Sequence, residues 1–115
     1  MSESINFKSL TPLSPAKDIE TAITFYEQKL GFTPNGYGGV YRGNIEILFY
    51  QTDDTHLGEW TSFRILVDAI ESLYREYEKQ QVIHQNGSLE AKPWGTKEFS
   101  IIDPDGVCIT FFERS

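Results

Sequence analysis

The chain reads as an α+β fold in which one order of elements (strand, helix, strand, strand, strand) occurs twice. Three observations carry this reading. Two stretches of helical periodicity each begin at an aspartate, Asp18 and Asp68. Each is preceded and followed by short runs rich in β-branched and aromatic residues, which favour strands. The chain closes in two such runs around Asp103-Pro104-Asp105-Gly106, where proline pre-sets φ, aspartate bonds back to the backbone and glycine tolerates positive φ. The whole is an internal repeat.

Taken in order, Ile5 to Leu13 alternates imperfectly and predicts a first strand, with Pro12 and Pro15 marking an edge or an early stop. Asp18 stands at a helix N-cap, and Ile19, Ala22, Ile23, Tyr26 and Leu30 fall on one stripe. Gly31 ends that helix in the position where a left-handed residue costs least. From Phe32 to Gly43, glycines alternate with Tyr37, Val40 and Tyr41, predicting two short strands around a turn. Asn44 to Gln51 is a stronger strand, with Ile45, Ile47 and Phe49 on one side and Glu46, Leu48 and Tyr50 on the other.

Residues 53–59 are polar and read as a link. Thr61 to Val67 predicts a strand, and Asp68 with Glu71 predicts a capping box for a helix whose stripe is Ile70, Leu73, Tyr74 and Tyr77. Gln85 to Lys92 predicts a loop and a weak strand before the closing hairpin. The expected organisation is therefore a single domain, 1–115, of two modules at about 5–52 and about 60–114 joined by about 53–59.

A chain of 115 residues supports one modest core, which a dimer would extend. Aromatic residues make up 14%, more than such a core needs, so some are expected to line a pocket. A net charge of −7 disfavours nucleic acid and suits a cationic ligand, although it also serves solubility. The single Cys108 rules out an internal disulfide; mid-strand and without a neighbouring histidine, it reads as a packing residue rather than a nucleophile. No apolar run approaches the roughly 20 residues that span a bilayer, so the expectation is a cytoplasmic protein with no membrane partner.

Two stretches carry a family resemblance. One runs from Pro93 to Gly95 through Glu98-Phe99 to Asp103-Pro104-Asp105-Gly106; the other runs from Pro15-Ala16-Lys17-Asp18-Ile19-Glu20 through Phe25-Tyr26-Glu27 to Leu30-Gly31-Phe32. With Asn44 to Tyr50 and Trp60 to Tyr77 they cover nearly the whole chain, which resembles the bleomycin-resistance and glyoxalase proteins of the vicinal-oxygen-chelate superfamily. The resemblance implies βαβββ modules forming a curved mixed sheet around a cleft. It also implies, in the bleomycin-resistance branch, a homodimer whose clefts are each built from both chains.

Superfamily enzymes hold a divalent metal with His and Glu side chains in each cleft. The matching positions here are Thr11, Ser62 and Thr110, with Glu46 as the fourth. One carboxylate and three hydroxyls make a poor transition-metal site, because neutral hydroxyls neither ionise readily nor bind these ions tightly. His56 and His84 lie outside the cleft strands, so no metal, no other cofactor and no catalytic residue is expected.

By the same resemblance, Trp60 beside Glu59 and Trp94 at the head of the last hairpin are candidates to stack on a planar ligand. Tyr37 and Tyr41 in the glycine-rich hairpin and Tyr50 beside Glu46 are further candidates. Each has a plainer alternative: Trp94 as a packing residue at a strand corner, the glycines as turn residues only, Glu46 as a structural carboxylate. Arg64, a lone charge in an apolar strand, is expected to pair with Glu46 or to meet an anion. The resulting expectation is a protein that sequesters an aromatic, cationic small molecule, with bleomycin-type antibiotics the family's ligand. The competing expectations are a metal-dependent glyoxalase- or dioxygenase-type enzyme and a ligand-independent interaction module.

Overall fold

The computed structural model describes residues 3–115. The first strand differs from expectation. Strand β1 is Leu13–Ala16, and residues 3–12 run as an arm without regular structure. Ile5, Phe7 and Leu10 are 85%, 97% and 89% exposed on that arm. The arm joins neither sheet and its apolar side chains are left uncovered, and alternation alone does not make a strand. Pro15 lies inside β1, which is allowed because β1 is an edge strand paired on one side only.

Helix α1, Ile19–Leu30, follows its sequence signals. The Asp18 carboxylate accepts from the amides of Glu20 and Thr21, and Gly31 closes the helix at φ 75°. Strands β2 (Thr33–Pro34), β3 (Gly39–Arg42) and β4 (Ile45–Gln51) complete a four-stranded mixed sheet in the order β1-β4-β3-β2. Ile47 and Phe49 face Ala22, Tyr26 and Leu30 of α1, as the alternation requires, and all are buried.

The polar link contains a four-residue helix, α2, His56–Glu59. Strand β5 is Ser62–Leu66 and helix α3 is Ile70–Lys79. The expected capping box on α3 does not form. Ala69 takes the N-cap place in a left-handed conformation at φ 55°, which moves the helix start one residue on from Asp68. The Glu113 carboxylate, from the far end of the chain, accepts from the amides of Ala69 and Ile70 instead. A carboxylate there satisfies open amides and opposes the positive end of the helix dipole. Glu71, freed from the box, pairs with Lys97.

Strands β6 (Glu90–Lys92), β7 (Thr96–Ile102) and β8 (Cys108–Arg114) join β5 in a second mixed sheet, ordered β5-β8-β7-β6. The turn between β7 and β8 is as the sequence predicts. Asp103 Oδ1 accepts from the amides of Asp105 and Val107, and Gly106 adopts φ 89°. The fold is thus α+β, with two four-stranded mixed sheets, each covered on one face by a helix.

The two halves share a core and are tied by polar bonds. Tyr26 Oη donates to the buried Asp103 carboxylate at 2.8 Å, so α1 is bonded to the β7–β8 turn. Arg42 donates to Glu76 and to the Leu30 carbonyl, which also accepts from Tyr77 Oη at 2.7 Å. Burial pushes the Tyr77 phenol up to about 12. Gly58 packs against the Asp105 backbone, where any β-carbon would overlap the carbonyl.

Candidate functional site

Helices α1 and α3 cover one face of each sheet and leave the other face open, and most of the sequence-selected residues lie on the open faces. On the first sheet, Tyr41 is register partner to Glu46, and Leu48 and Tyr50 continue that side of β4. The β2–β3 hairpin folds over it. Asn35-Gly36 forms the turn; Asn35 Oδ1 accepts from the amides of Tyr37 and Gly39, both at 2.9 Å, while Gly36 and Gly38 take positive φ. This geometry brings Tyr37 Oη onto the Glu46 carboxylate, which also accepts from Asn35 Nδ2 at 3.1 Å. The bond to Glu46 raises the Tyr37 phenol above its ordinary pKa. The result is a fixed carboxylate bordered by Tyr37, Tyr41 and Tyr50, all three exposed.

Asn35 was not among the expected functional residues. The Asn-Gly pair at the hairpin tip is the signal that marks it, because only that turn brings the amide over the following strands.

The second sheet's open face carries Ser62, Arg64 and Leu66 on β5, Thr110 and Phe112 on β8, and Thr96, Glu98 and Ser100 on β7. Arg64 does not pair with Glu46, which belongs to the other sheet. It donates from Nη1 and Nη2 to Glu98 at 3.0 and 2.8 Å. Glu98 also accepts from Trp94 Nε1 at 3.0 Å and Thr96 Oγ1 at 2.6 Å. Four donors on one carboxylate, Arg64 first among them, hold its pKa down to about 2. Glu98, like Asn35, was not among the expected functional residues. Trp94, Thr96 and Glu98 alternate on one side of the incoming chain, and the unpaired charge of Arg64 in an apolar strand called for such a carboxylate.

Trp60 stands apart from both networks. It caps the short α2 helix, is 76% exposed and stacks on the His56 ring at 5.8 Å. Glu59 approaches His56 at 3.5 Å and lines a pocket of about 290 Å³ with Lys17, Asp54 and Asp105. The candidates therefore fall into three groups: Glu46 with Tyr37, Tyr41 and Tyr50; Trp94 on the Glu98 network; and Trp60 with Glu59 at the link.

A larger cleft, about 560 Å³, lies at the seam between the halves among Phe32, Ile45, Ile65, Leu73 and Phe111. None of Tyr37, Tyr41, Glu46, Tyr50, Trp60 or Trp94 lines it. Arg42 and Glu76 on its rim pair with each other, and Asp68 also lines it.

The donor chemistry does not fit a catalytic transition metal. Ser62, Thr110 and Thr11 offer neutral hydroxyls, that of Thr110 already sharing a hydrogen bond with Ser100, and Glu46 is the one carboxylate of the four. Among the described residues no three His, Cys, Asp or Glu side chains come together as a metal-binding group. Nor is any helix among them long and apolar enough to cross a membrane.

Comparison with known proteins places this geometry among relatives. The family model for the Glyoxalase/Bleomycin resistance protein/Dioxygenase superfamily matches residues 11–111. Bleomycin resistance proteins of Geobacillus stearothermophilus and Staphylococcus aureus are 28% identical over 124 aligned positions, covering 90% of this chain and 94% of theirs. The bleomycin-binding protein of bleomycin-producing Streptomyces verticillus, solved with copper(II)-bleomycin, superposes with a TM-score of 0.82 at 26% identity, over 94% of this chain and 97% of that one. The bleomycin resistance determinant encoded on transposon Tn5 shares the fold, with a TM-score of 0.76 at 23% identity over 95% and 99% of the two chains.

Proposed function

Because the chain belongs to the glyoxalase/bleomycin resistance protein/dioxygenase superfamily, we propose that it is a binding protein that sequesters a bleomycin-type ligand, aromatic and cationic, without making or breaking a bond. The observation that carries this reading is the Glu46 carboxylate, fixed by Tyr37 and Asn35 and bordered by Tyr41 and Tyr50 on an open sheet face. A fixed carboxylate beside aromatic rings attracts a cation and stacks on the planar groups that carry it. The relatives named for bleomycin resistance and bleomycin binding support the ligand class.

In this reading the protein acts as a cytoplasmic homodimer of two-module chains, metal-free in its clefts, with the first open face of one copy set against the second open face of another. Three features favour a partner copy: both aromatic faces lack a covering helix, β1 and β5 each end their sheet with an unpaired edge, and the arm exposes Ile5, Phe7 and Leu10. Apolar side chains displayed in a row on an extended arm gain by burial against a second chain. This reading assigns Trp60, with the negative charge of Glu59, and Trp94 to the rims of the two-chain cleft.

The test is a tryptophan-fluorescence titration with metal-free and copper-loaded bleomycin, run with light scattering and metal analysis on the same preparation. Saturable quenching at about one ligand per chain, by a dimer without stoichiometric metal, is expected. Absence of binding refutes the ligand assignment, a monomer refutes the two-chain cleft, and a bound stoichiometric metal restores the enzyme reading.

A further inference from the structure

We propose that the second open face holds a subsite for a planar oxyanion anchored by Arg64, so that a ligand filling both walls joins an aromatic cation at one end to a carboxylate-like group at the other. The inference deepens the cleft reading above and rests on it for the position of the ligand's cationic end. The subsite itself lies within one sheet of one chain.

The first ground is the state of Glu98. Its side chain is only 7% exposed and accepts from Arg64, Trp94 and Thr96, so it is saturated and out of reach of a ligand. It serves as a positioning residue for the guanidinium. Arg64 by contrast is 48% exposed. A guanidinium has five N–H donors in a rigid fork. Two are held by Glu98, and no other hydrogen bond forms from the Arg64 side chain among the described residues. The remaining three have no acceptor among the described residues, and the fork is pre-set for a planar pair of oxygens.

The second ground is the surroundings of that fork. The Arg64 guanidinium lies over the Phe112 ring at 4.3 Å from its centre, and Arg114 approaches the same ring at 5.6 Å. Lys92 lies over Trp94 at 6.0 Å. In a chain of net charge −7, this face carries Arg64, Arg114 and Lys92 against Glu98 and Glu90; Arg64 pairs with Glu98 and Lys92 with Glu90, which leaves Arg114 as the excess positive charge. It is cationic and aromatic where the first face is anionic and aromatic. The Ser100 and Thr110 hydroxyls, hydrogen-bonded to each other at 2.8 Å, sit at the register position of Arg64 and leave one O–H to donate to an oxygen acceptor.

A ligand of this kind is an aromatic molecule bearing a carboxylate. Its recognition is a bidentate guanidinium pair, for which a lysine is no substitute, because an ammonium offers a point charge without the fork.

The experiment uses two matched probes, 2-naphthoate and 2-naphthylmethylammonium, titrated into the full chain and followed by amide and arginine side-chain NMR. Naphthoate is expected to shift the Arg64 Nε–H together with the Ser100 and Thr110 amides. Its affinity should fall at least tenfold in Arg64→Lys and be unchanged in Glu46→Gln, with the ammonium probe showing the reverse pattern. Since Arg64→Lys weakens the hold on a buried carboxylate, the paired variant Arg64→Leu with Glu98→Gln, which leaves no buried charge behind, should lose naphthoate equally. Equal naphthoate affinity in wild type and both variants, or shifts confined to other surfaces, overturns the subsite. Bleomycin binding with no naphthoate response at Arg64 removes this inference and spares the cleft reading. Naphthoate bound at Arg64 with no response to bleomycin does the opposite.

Discussion

Replacing Tyr26 by Phe tests how the two halves are held together. Tyr26 is fully buried, and its hydroxyl donates at 2.8 Å to Asp103, itself buried in the β7–β8 turn. Phenylalanine keeps the ring and its edge contacts with Phe25, Phe32 and Phe49, so no cavity opens. The loss is one hydrogen bond to a buried carboxylate, about 1.5–3 kcal/mol. For a domain of this size that corresponds to roughly 5–15 °C in Tm.

The pH dependence makes the test specific. Burial raises the pKa of Asp103, and the Tyr26 hydroxyl is the largest of the influences pulling it back down. Without that hydroxyl the folded-state pKa rises further. An acid whose folded pKa lies above its unfolded value is a burden while ionised, and that burden is relieved as pH falls through the folded pKa. The variant therefore gains more from acidification than wild type, and its deficit should be full at pH 7.5 and smaller at pH 4.5. Urea unfolding of both proteins at the two pH values measures this. A deficit below about 0.5 kcal/mol at neutral pH, well under the usual worth of such a bond, refutes the account, as does one that grows with acid.

Three further outcomes follow from the same geometry. Glu98, with its pKa held down to about 2, contributes stability that is complete at neutral pH, starts to fade below the ordinary glutamate range and is gone as pH falls through that value. Glu98→Gln should therefore cost on the order of 1–3 kcal/mol at pH 7, discounted for the solvent around Arg64, and almost nothing near pH 2; a deficit constant across urea titrations in that range would contradict it. Gly58→Ala should destabilise by about 2–4 kcal/mol or displace α2, since the new methyl overlaps the Asp105 carbonyl; an unchanged denaturant midpoint with unchanged amide shifts would show that α2 does not pack there. Trp60→Ala should weaken bleomycin binding while moving Tm by only a few degrees, because the indole is exposed and touches chiefly His56; a large stability loss by calorimetry would make it a core residue.

Elements whose signals are local were legible in the chain. Asp18 and Gly31 bound α1 because a carboxylate satisfies the first free amides and a glycine enters the left-handed region without strain, both decided within a few residues. The β7–β8 turn is written in Asp103-Pro104-Asp105-Gly106 for the same reason, and the two faces of β4 follow from strict alternation. Family membership was equally legible, resting on those punctuated stretches and matched across residues 11–111.

What stayed hidden depends on residues distant in sequence. The amides at the start of α3 are met by Glu113 rather than by a neighbouring capping box, because parallel pairing of β5 with β8 delivers that carboxylate to the helix start. Arg64 finds Glu98 rather than Glu46, because the chain divides into two sheets and the partner is chosen by sheet neighbourhood. The arm before β1 has strand-like alternation but pairs with none of its own chain's sheet edges, and alternation specifies a strand only when a partner surface buries one side. Composition and spacing set the helices, turns and open faces; which charges meet on those faces is decided only when the two sheets are assembled, since an ion pair needs proximity in space and a single sequence records only proximity along the chain.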